Sequence, residues 1–221
     1  LSAGFIAGKG VADSGELKQQ RMKAGAMRDA LQKKMNVFAA GNPSAKLNAS
    51  FTSLLGRLDR LEDLRGRVDS LSVSAVETIT DYSENIEQMR NMLKGVLEYC
   101  RGADMYGRAS EFLGLIGAKE FAGQERAVLN AALSTGAFGK ELYRSWLERI
   151  ALQNEYLKAS LDVASPSTKA LYEQNVAPLR GEVEQLRRRA FDSAEQPKLE
   201  GDSKTWFAAS TAYINCLHKV E

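Results

Sequence analysis

The residues of this chain best suited to chemistry are arginines at helical positions flanked by apolar side chains. Arg21, Arg65 and Arg126 each lie within a pattern typical of a helix, and Arg67 follows shortly after Arg65. A guanidinium carries five donors in a planar fork, which matches an oxyanion better than a lysine ammonium does. Two or three such forks at one point would repel each other when empty and become stable around an anion. These residues therefore indicate a small-anion site whose occupancy changes the preferred helix arrangement.

Each of these arginines also has an ordinary interpretation as a partner in a helical salt bridge. Arg65 lies about one turn from both Glu62 and Asp69. Such pairs contribute only tenths of a kcal/mol, so they are common and carry little function. Gly66 and Gly123, beside these sites, leave room either for close helix packing or for a ligand. The residues alone leave both interpretations open.

Composition limits the classes of protein to which the chain can belong. Its 221 residues suffice for one large domain or two small ones, and 44% are hydrophobic. Thirty basic and 28 acidic side chains give a net charge of +2, which predicts no nucleic-acid partner for this domain. The densest basic run, Arg187-Arg188-Arg189, is interpreted as a solvated helix face.

The side chains that usually bind metals or perform catalysis are scarce. The chain has two cysteines, Cys100 and Cys216, and one histidine, His218. This is too few for a disulfide framework, a zinc site or a catalytic triad, and nothing in the sequence would hold a redox cofactor. We therefore predict no enzyme, no cofactor and no metal, and place His218 on the surface of the last helix. Whether the two cysteines pair stays open.

Apolar spacing and capping residues predict helices along almost the whole chain and no strand. Capping patterns occur at Asp13 with Glu16, at Ser74 with Glu77 and at Ser165-Pro166. Asn42 is predicted to cap the third helix, and Pro178 to kink the seventh helix or to shift its start. The predicted helices cover residues 2–7, 14–40, 44–71, 74–101, 104–136, 140–161, 166–194 and the segment after Asp202.

The expected fold is all-α, with about eight helices in two stacked four-helix bundles that share long helices. We predict one domain over 1–221, with a first bundle over 1–101 and a second over 102–221. The segments Leu64–Leu71 and Leu179–Leu186 share the pattern L-R-G-x-V-acid-x-L, which indicates duplication and makes Arg180 the counterpart of Arg65. The sequence has no run of about 18 apolar residues. Because it begins at Leu1 without a methionine, we interpret it as part of a longer protein whose membrane helices could lie on either side.

Several blocks, taken in order, resemble the nitrate- and nitrite-sensing domain family, an all-helical bacterial input domain. The family opens with E-R-G-x-S-A-G-[FY]-[LI], then has Q-R on the next helix, L-x-x-L-R-x-x-V-D, A-K-E-x-A-G-x-E-R-A and an aromatic pair on the last helix. The matching segments are LSAGFIAGKG at Leu1–Gly10, Gln20-Arg21, LEDLRGRVD at Leu61–Asp69, AKEFAGQERA at Ala118–Ala127, and Thr205-Trp206-Phe207. The chain begins inside the first motif, without its E-R-G. The Thr-Asp that usually follows Q-R is replaced around Lys23-Ala24.

The resemblance implies a sensor for nitrate or nitrite in chemoreceptors, histidine kinases, cyclic-nucleotide signalling proteins or transcription antiterminators. It implies that Arg21, Arg65 and Arg126 bind the anion, and we expect the resulting helix shift to be passed to an output module. It further implies a periplasmic location in a membrane-anchored parent protein, or a cytoplasmic one in an antiterminator. We expect the parent protein to be a homodimer.

Two other functions are compatible with the same residues. The first is a helical sensor for another ligand, such as an organic acid or a small protein, in a pocket formed by aromatic side chains. The second is a structural bundle that mediates dimerisation and responds to no small anion. The aromatic candidates are Tyr82, Trp146, Tyr156, Trp206 and Phe207.

Overall fold

The computed structural model describes residues 2–7, 9–10, 14–41, 44–97 and 102–220. Within these ranges all regular secondary structure is helical, which confirms the predicted all-α class. The chain divides into two compact units, Leu1–Tyr99 with α1–α5 and Cys100–Glu221 with α6–α10. The helices are α1 (Ser2–Ala7), α2 (Ser14–Gly41), α3 (Ala45–Asp59), α4 (Leu61–Asp69), α5 (Ala75–Leu97), α6 (Ala103–Thr135), α7 (Lys140–Val163), α8 (Pro166–Asn175), α9 (Ala177–Asp192) and α10 (Ser203–Val220).

Two helices that the sequence predicts as continuous are each interrupted once, so eight predicted helices become ten described ones. Arg60 separates α3 from α4 with φ −70° and ψ −11°, and its N–H donates to the carbonyl of Arg57 at 3.1 Å. This geometry is close to helical, so the break needs neither glycine nor proline. Val176 separates α8 from α9, and Pro178 lies in the first turn of α9, where a proline costs no hydrogen bond. The kink predicted at Pro178 is thus a break just before it.

Side-chain caps fix where several helices begin. Ser74 and Glu77 form the predicted reciprocal capping box at the start of α5, with N···O distances of 2.9 and 3.1 Å. The Ser165 hydroxyl accepts from the N–H of Thr168 at 3.1 Å, as predicted for α8. The predicted cap of α3 by Asn42 is wrong: Ser44 is the N-cap because its hydroxyl accepts from the N–H of Leu47 at 3.3 Å. Asp13, Asn42 and Pro43 themselves lie outside the described residues.

The sequence repeat falls at the same place in the helix order of each unit. Its first copy lies on α4 and its second on α9. Each is the fourth of the five helices described in its unit, and each follows a single-residue break. The two copies of the repeat therefore occupy equivalent positions in the helix order of their units, as a duplication would place them.

In the first unit, the buried core lies mainly between α3 and α5, and α2 contributes little to it. Among the described side chains of α2, only Leu17 and Met35 are buried. Met22, Met27 and Val37 are about three-quarters exposed. The main core residues are Met35, Leu47, Phe51, Leu54, Leu58 and Met92, and a smaller cluster contains Leu64, Val68 and Val73.

In the second unit, a larger core is built around the closely packed pair α6 and α7. A Cβ at Gly114 would lie 2.6 Å from the Cβ of Ser160, and one at Gly117 would lie 2.6 Å from the Tyr156 ring. The Ser160 hydroxyl donates to the carbonyl of Glu111 at 2.8 Å. These contacts bring the two helices within reach of each other's backbone. The largest side chains in this core, Trp146 and Trp206, are fully buried.

None of the described helices combines the length and the apolar character needed to cross a membrane.

Candidate functional site

Two of the predicted anion-binding residues, Arg21 and Arg65, lie on facing surfaces of α2 and α4 in the first unit. The Nη1 of Arg21 donates to both carboxylate oxygens of Asp69 at 2.8 and 2.9 Å. Asp69 follows Arg65 by one helical turn. The Nη1 of Arg65 donates to Glu62 at 2.6 Å, and the same carboxylate lies 3.9 Å from Arg28, two turns after Arg21 on α2. The α2–α4 contact therefore contains both predicted arginines.

Both of these arginines have a carboxylate partner, and for Arg65 it is Glu62, as the ordinary interpretation predicted, yet neither arginine is fully satisfied. Their side chains are only 17% and 13% exposed. The Nε and Nη2 of Arg21 and the Nε of Arg65 are buried and make no hydrogen bond to any described residue. A buried donor without an acceptor costs about 1–3 kcal/mol, so this face favours an additional acceptor.

The third predicted residue, Arg126, lies on α6 in the second unit and is held against α10. Its Nη1 donates to the hydroxyl of Thr211 at 2.7 Å, and its guanidinium lies 4.7 Å from the centre of the Phe207 ring. The indole N–H of Trp206 donates to the Arg126 carbonyl at 3.0 Å, which fixes α10 against this turn of α6. Of the aromatic pocket candidates, Trp206 and Trp146 therefore belong to the core, whereas Phe207 is exposed and supports Arg126.

The charge of Arg126 is not neutralised by any carboxylate in the part of the chain that the structure describes. Burial lowers the pKa of Arg126 because it removes water that would stabilise the cation. An arginine nevertheless stays protonated near neutral pH. A partly buried cation whose partners among the described residues are a hydroxyl and an aromatic ring is a favourable place for a small anion.

A buried polar cluster adjoins this site, and the sequence did not predict it. Glu125, Gln153 and Arg187 are almost completely buried. Arg187 binds both oxygens of Glu125, at 2.6 Å through its Nε and more closely through Nη2, and donates to Gln153 at 2.8 Å. Gln153 in turn donates to Glu125 at 3.0 Å, and Glu184 accepts from Arg187 at 2.7 Å. This cluster joins α6, α7 and α9, and it fixes the α6 turn that carries Arg126.

The interpretation of Arg187-Arg188-Arg189 as a solvated face is wrong for its first member. Arg188 and Arg189 are exposed, but Arg187 is only 4% exposed because it follows Val183 and precedes Ala190 on the buried stripe of α9. Burial alone would lower the pKa of Arg187. The hydrogen bond and charge of Glu125, aided by Glu184, raise the pKa instead. Helical spacing could have revealed this residue, whereas the run of three arginines concealed it.

Arg180, the counterpart of Arg65 in the repeat, is engaged in a different set of contacts. It donates to the Tyr172 hydroxyl at 3.3 Å and to the side-chain oxygen of Asn154 at 3.1 Å. Nearby, burial raises the pKa of Tyr213, whose hydroxyl has no partner among the described residues. The repeated arginines therefore differ in their surroundings.

The described residues form an all-helical domain with partly buried arginines in each of its two units. Residues 1–221 match the family model described as nitrate and nitrite sensing, and the chain belongs to this family. This confirms the resemblance seen in the sequence.

Two relatives show the context in which this family occurs. The chain is 32% identical to the nitrate regulatory protein of Klebsiella oxytoca over 166 residues, which cover 74% of this chain and 41% of that protein. It superimposes on the structure of the NasR transcription antiterminator with a TM-score of 0.83 and 25% identity, covering 99% of this chain and 59% of that one. The chain thus spans less than two thirds of either relative. Family and relatives assign it a signalling role and not an enzymatic one.

Proposed function

We propose that this chain is the input module of a larger signalling protein and that it binds nitrate or nitrite through Arg21, Arg65 and Arg126. The observation that carries the proposal is the uncompensated guanidinium of Arg126, in a chain that matches the sensing family throughout. The buried, unused donors of Arg21 and Arg65 support the same conclusion for the first unit.

Nitrate is a planar, weakly basic monoanion that needs neither a metal nor a proton transfer to be held. Its oxygens can accept from several guanidinium donors at once. In the proposed mechanism, the anion accepts hydrogen bonds from these arginines, which satisfies their unused donors and stabilises one helix arrangement over another. A coupling of about 1–3 kcal/mol is enough to switch an output.

The setting of the whole protein belongs to the proposal as well. The two relatives are regulators, and one is a transcription antiterminator, which favours a cytoplasmic setting over a periplasmic receptor. We expect the remaining part of the protein to carry the output module. We also expect a homodimer, with nucleic acid bound outside this domain.

Thermal denaturation and calorimetry of the chain with nitrate, nitrite and chloride test the binding. A ligand that binds the folded state at one hundred times its Kd adds about 2.7 kcal/mol to stability, which raises Tm. We expect nitrate or nitrite to raise Tm and chloride to do so far less. A parent chain that gives no response to either oxyanion would contradict the proposal and favour the structural bundle.

Variants of the arginines test the residue assignment separately. We expect Arg126→Gln, Arg21→Gln and Arg65→Gln each to weaken nitrate binding at least tenfold. Arg108→Gln is the matched control for Arg126, because Arg108 lies on the same helix with a side chain 80% exposed and paired to Asp104. Binding by Arg126→Gln equal to that of the control would show that Arg126 does not contact the anion.

A further inference from the structure

A second charged site lies in the first unit, away from the side-chain contacts of Arg21 and Arg65. It is a cleft of about 140 Å³ at the junction of α3 and α4, beside α5. A water molecule occupies about 30 Å³ of liquid, so the cleft holds a few waters or one small ion, not an organic ligand of ordinary size. The residues that line it are Arg57, Arg60, Asp63, Leu64, Arg67, Asp81 and Asn85.

Three arginines of this cleft retain donor capacity. Arg57 donates to Glu84 at 2.8 Å, and Arg67 donates to Asp81 at 3.1 Å. Each of these hydrogen bonds uses one of the five donors of a guanidinium. Arg60 lies at the helix break, is exposed, and forms no ion pair with any described carboxylate. The cleft therefore combines two anchored cations with one that is uncommitted.

Two carboxylates at the same cleft restrict which anion fits. Asp81 holds Arg67 at its terminal nitrogen, and Asp63 lies 3.4 Å from the Nε of Arg67. Glu77, at the start of α5, is also within the electrostatic reach of Arg67. A fully deprotonated oxyanion such as nitrate or sulfate has no proton to donate, so its oxygens would face these carboxylates with no hydrogen bond to offset the repulsion. An oxyanion that carries its own proton can instead donate it to an aspartate while its other oxygens accept from the arginines.

We propose that this cleft binds hydrogen phosphate: Arg57, Arg60 and Arg67 donate to its oxygens, and Asp63 or Asp81 accepts its proton. The site is independent of the proposed nitrate site, because it uses none of the residues assigned to nitrate. It would let one sensor unit respond to a second, chemically distinct anion.

Calorimetry of the chain with inorganic phosphate, sulfate and nitrate at fixed ionic strength and near-neutral pH tests this proposal. Phosphate keeps at least one proton under these conditions and sulfate keeps none, although their shapes are alike. We expect phosphate to bind at least tenfold more tightly than sulfate or nitrate at this site. Equal binding of phosphate and sulfate, or no binding of phosphate, would overturn the proposal.

Two variants and two controls assign the binding to the cleft. We expect Arg60→Met to weaken phosphate binding at least tenfold with an unchanged Tm, because Arg60 is exposed. Asp63→Asn should reduce the preference for phosphate over sulfate. Arg144→Met, which removes an exposed arginine paired with Glu141 in the second unit, and Arg126→Gln should both leave phosphate binding intact. Unchanged phosphate binding in both Arg60→Met and Asp63→Asn would place the ion elsewhere and overturn the assignment.

Discussion

Neighbouring residues on α6 have opposite electrostatic roles. Glu125 points into the core and is neutralised by Arg187, whereas Arg126 lies against α10 with no described carboxylate beside it. Adjacent positions on a helix face different directions, so one turn can carry both a buried ion pair and an accessible cation. The buried pair holds this turn in place, and Arg126 is positioned as a consequence.

The contribution of the buried Glu125–Arg187 pair to stability can be measured by replacing its carboxylate. Glu125→Gln would remove the buried carboxylate and leave the Arg187 charge with only the partly exposed Glu184 as its ion-pair partner. We expect a loss of about 3 kcal/mol in unfolding free energy. Urea denaturation followed by tryptophan fluorescence measures it. The chain has two tryptophans, and both lie in the second unit, so the signal reports that unit.

Glu184→Gln is the matched control, because Glu184 also binds Arg187 but its side chain is 37% exposed. We expect it to cost about 1 kcal/mol or less. Equal stability of the two variants would show that the burial of Glu125 does not determine its contribution to the free energy of unfolding.

At the scale of single elements, caps and periodicity predicted most helices, and the breaks within them were not predictable. The start of α5 follows from Ser74 and Glu77, whose side chains reach each other's backbone N–H. The break at Arg60 leaves no sequence signal, because its dihedral angles are nearly helical. Helical spacing places Arg187 on the buried stripe of α9, but its partner Glu125 lies 62 positions earlier, and no local pattern records such a partner. The three-arginine assignment for nitrate stays a prediction that came from the family motifs.

The glycines of α6 provide a prediction at this scale. Gly114→Ala places a methyl group 2.6–2.9 Å from Ser160, including its backbone nitrogen, so α6 and α7 must separate. Overpacking of this kind costs about 1–3 kcal/mol in unfolding free energy. Tryptophan-detected urea denaturation measures the loss.

Gly123→Ala, on the same helix, is the control, and we expect it to change stability in the opposite direction. A Cβ at Gly123 meets nothing within 4 Å, so the substitution should stabilise the helix by about 0.5–1 kcal/mol. A stabilised Gly114→Ala variant would show that the close α6–α7 contact is absent in solution.

Over the whole molecule, burial differs strongly between the helices. In the second unit, α6, α7, α9 and α10 surround a continuous core that includes both tryptophans. By contrast, α2 buries only Leu17 and Met35 among its described side chains. Local opening is easiest where few apolar side chains are buried.

Hydrogen exchange tests this difference directly. We expect the amides of α2 to exchange at least tenfold faster than those of α7 in the absence of ligand, because α2 can open without disrupting a core. Peptide-resolved mass spectrometry measures both helices in one sample. Comparable protection of α2 and α7 would indicate that α2 is covered in solution, for example by a second copy of the chain.

The close contact between α6 and α7 also limits how the second unit can move. Displacing one helix past another by one turn would require Tyr156 and Ser160 to leave the hollows at Gly117 and Gly114, and packed interfaces shift between discrete arrangements rather than sliding freely. Such a displacement is therefore unfavourable, because it would lose both close contacts. In the proposed mechanism, α6 and α7 stay together as one rigid pair, and the response to ligand in this unit is a tilt or roll of α10, which contacts the Arg126 side chain.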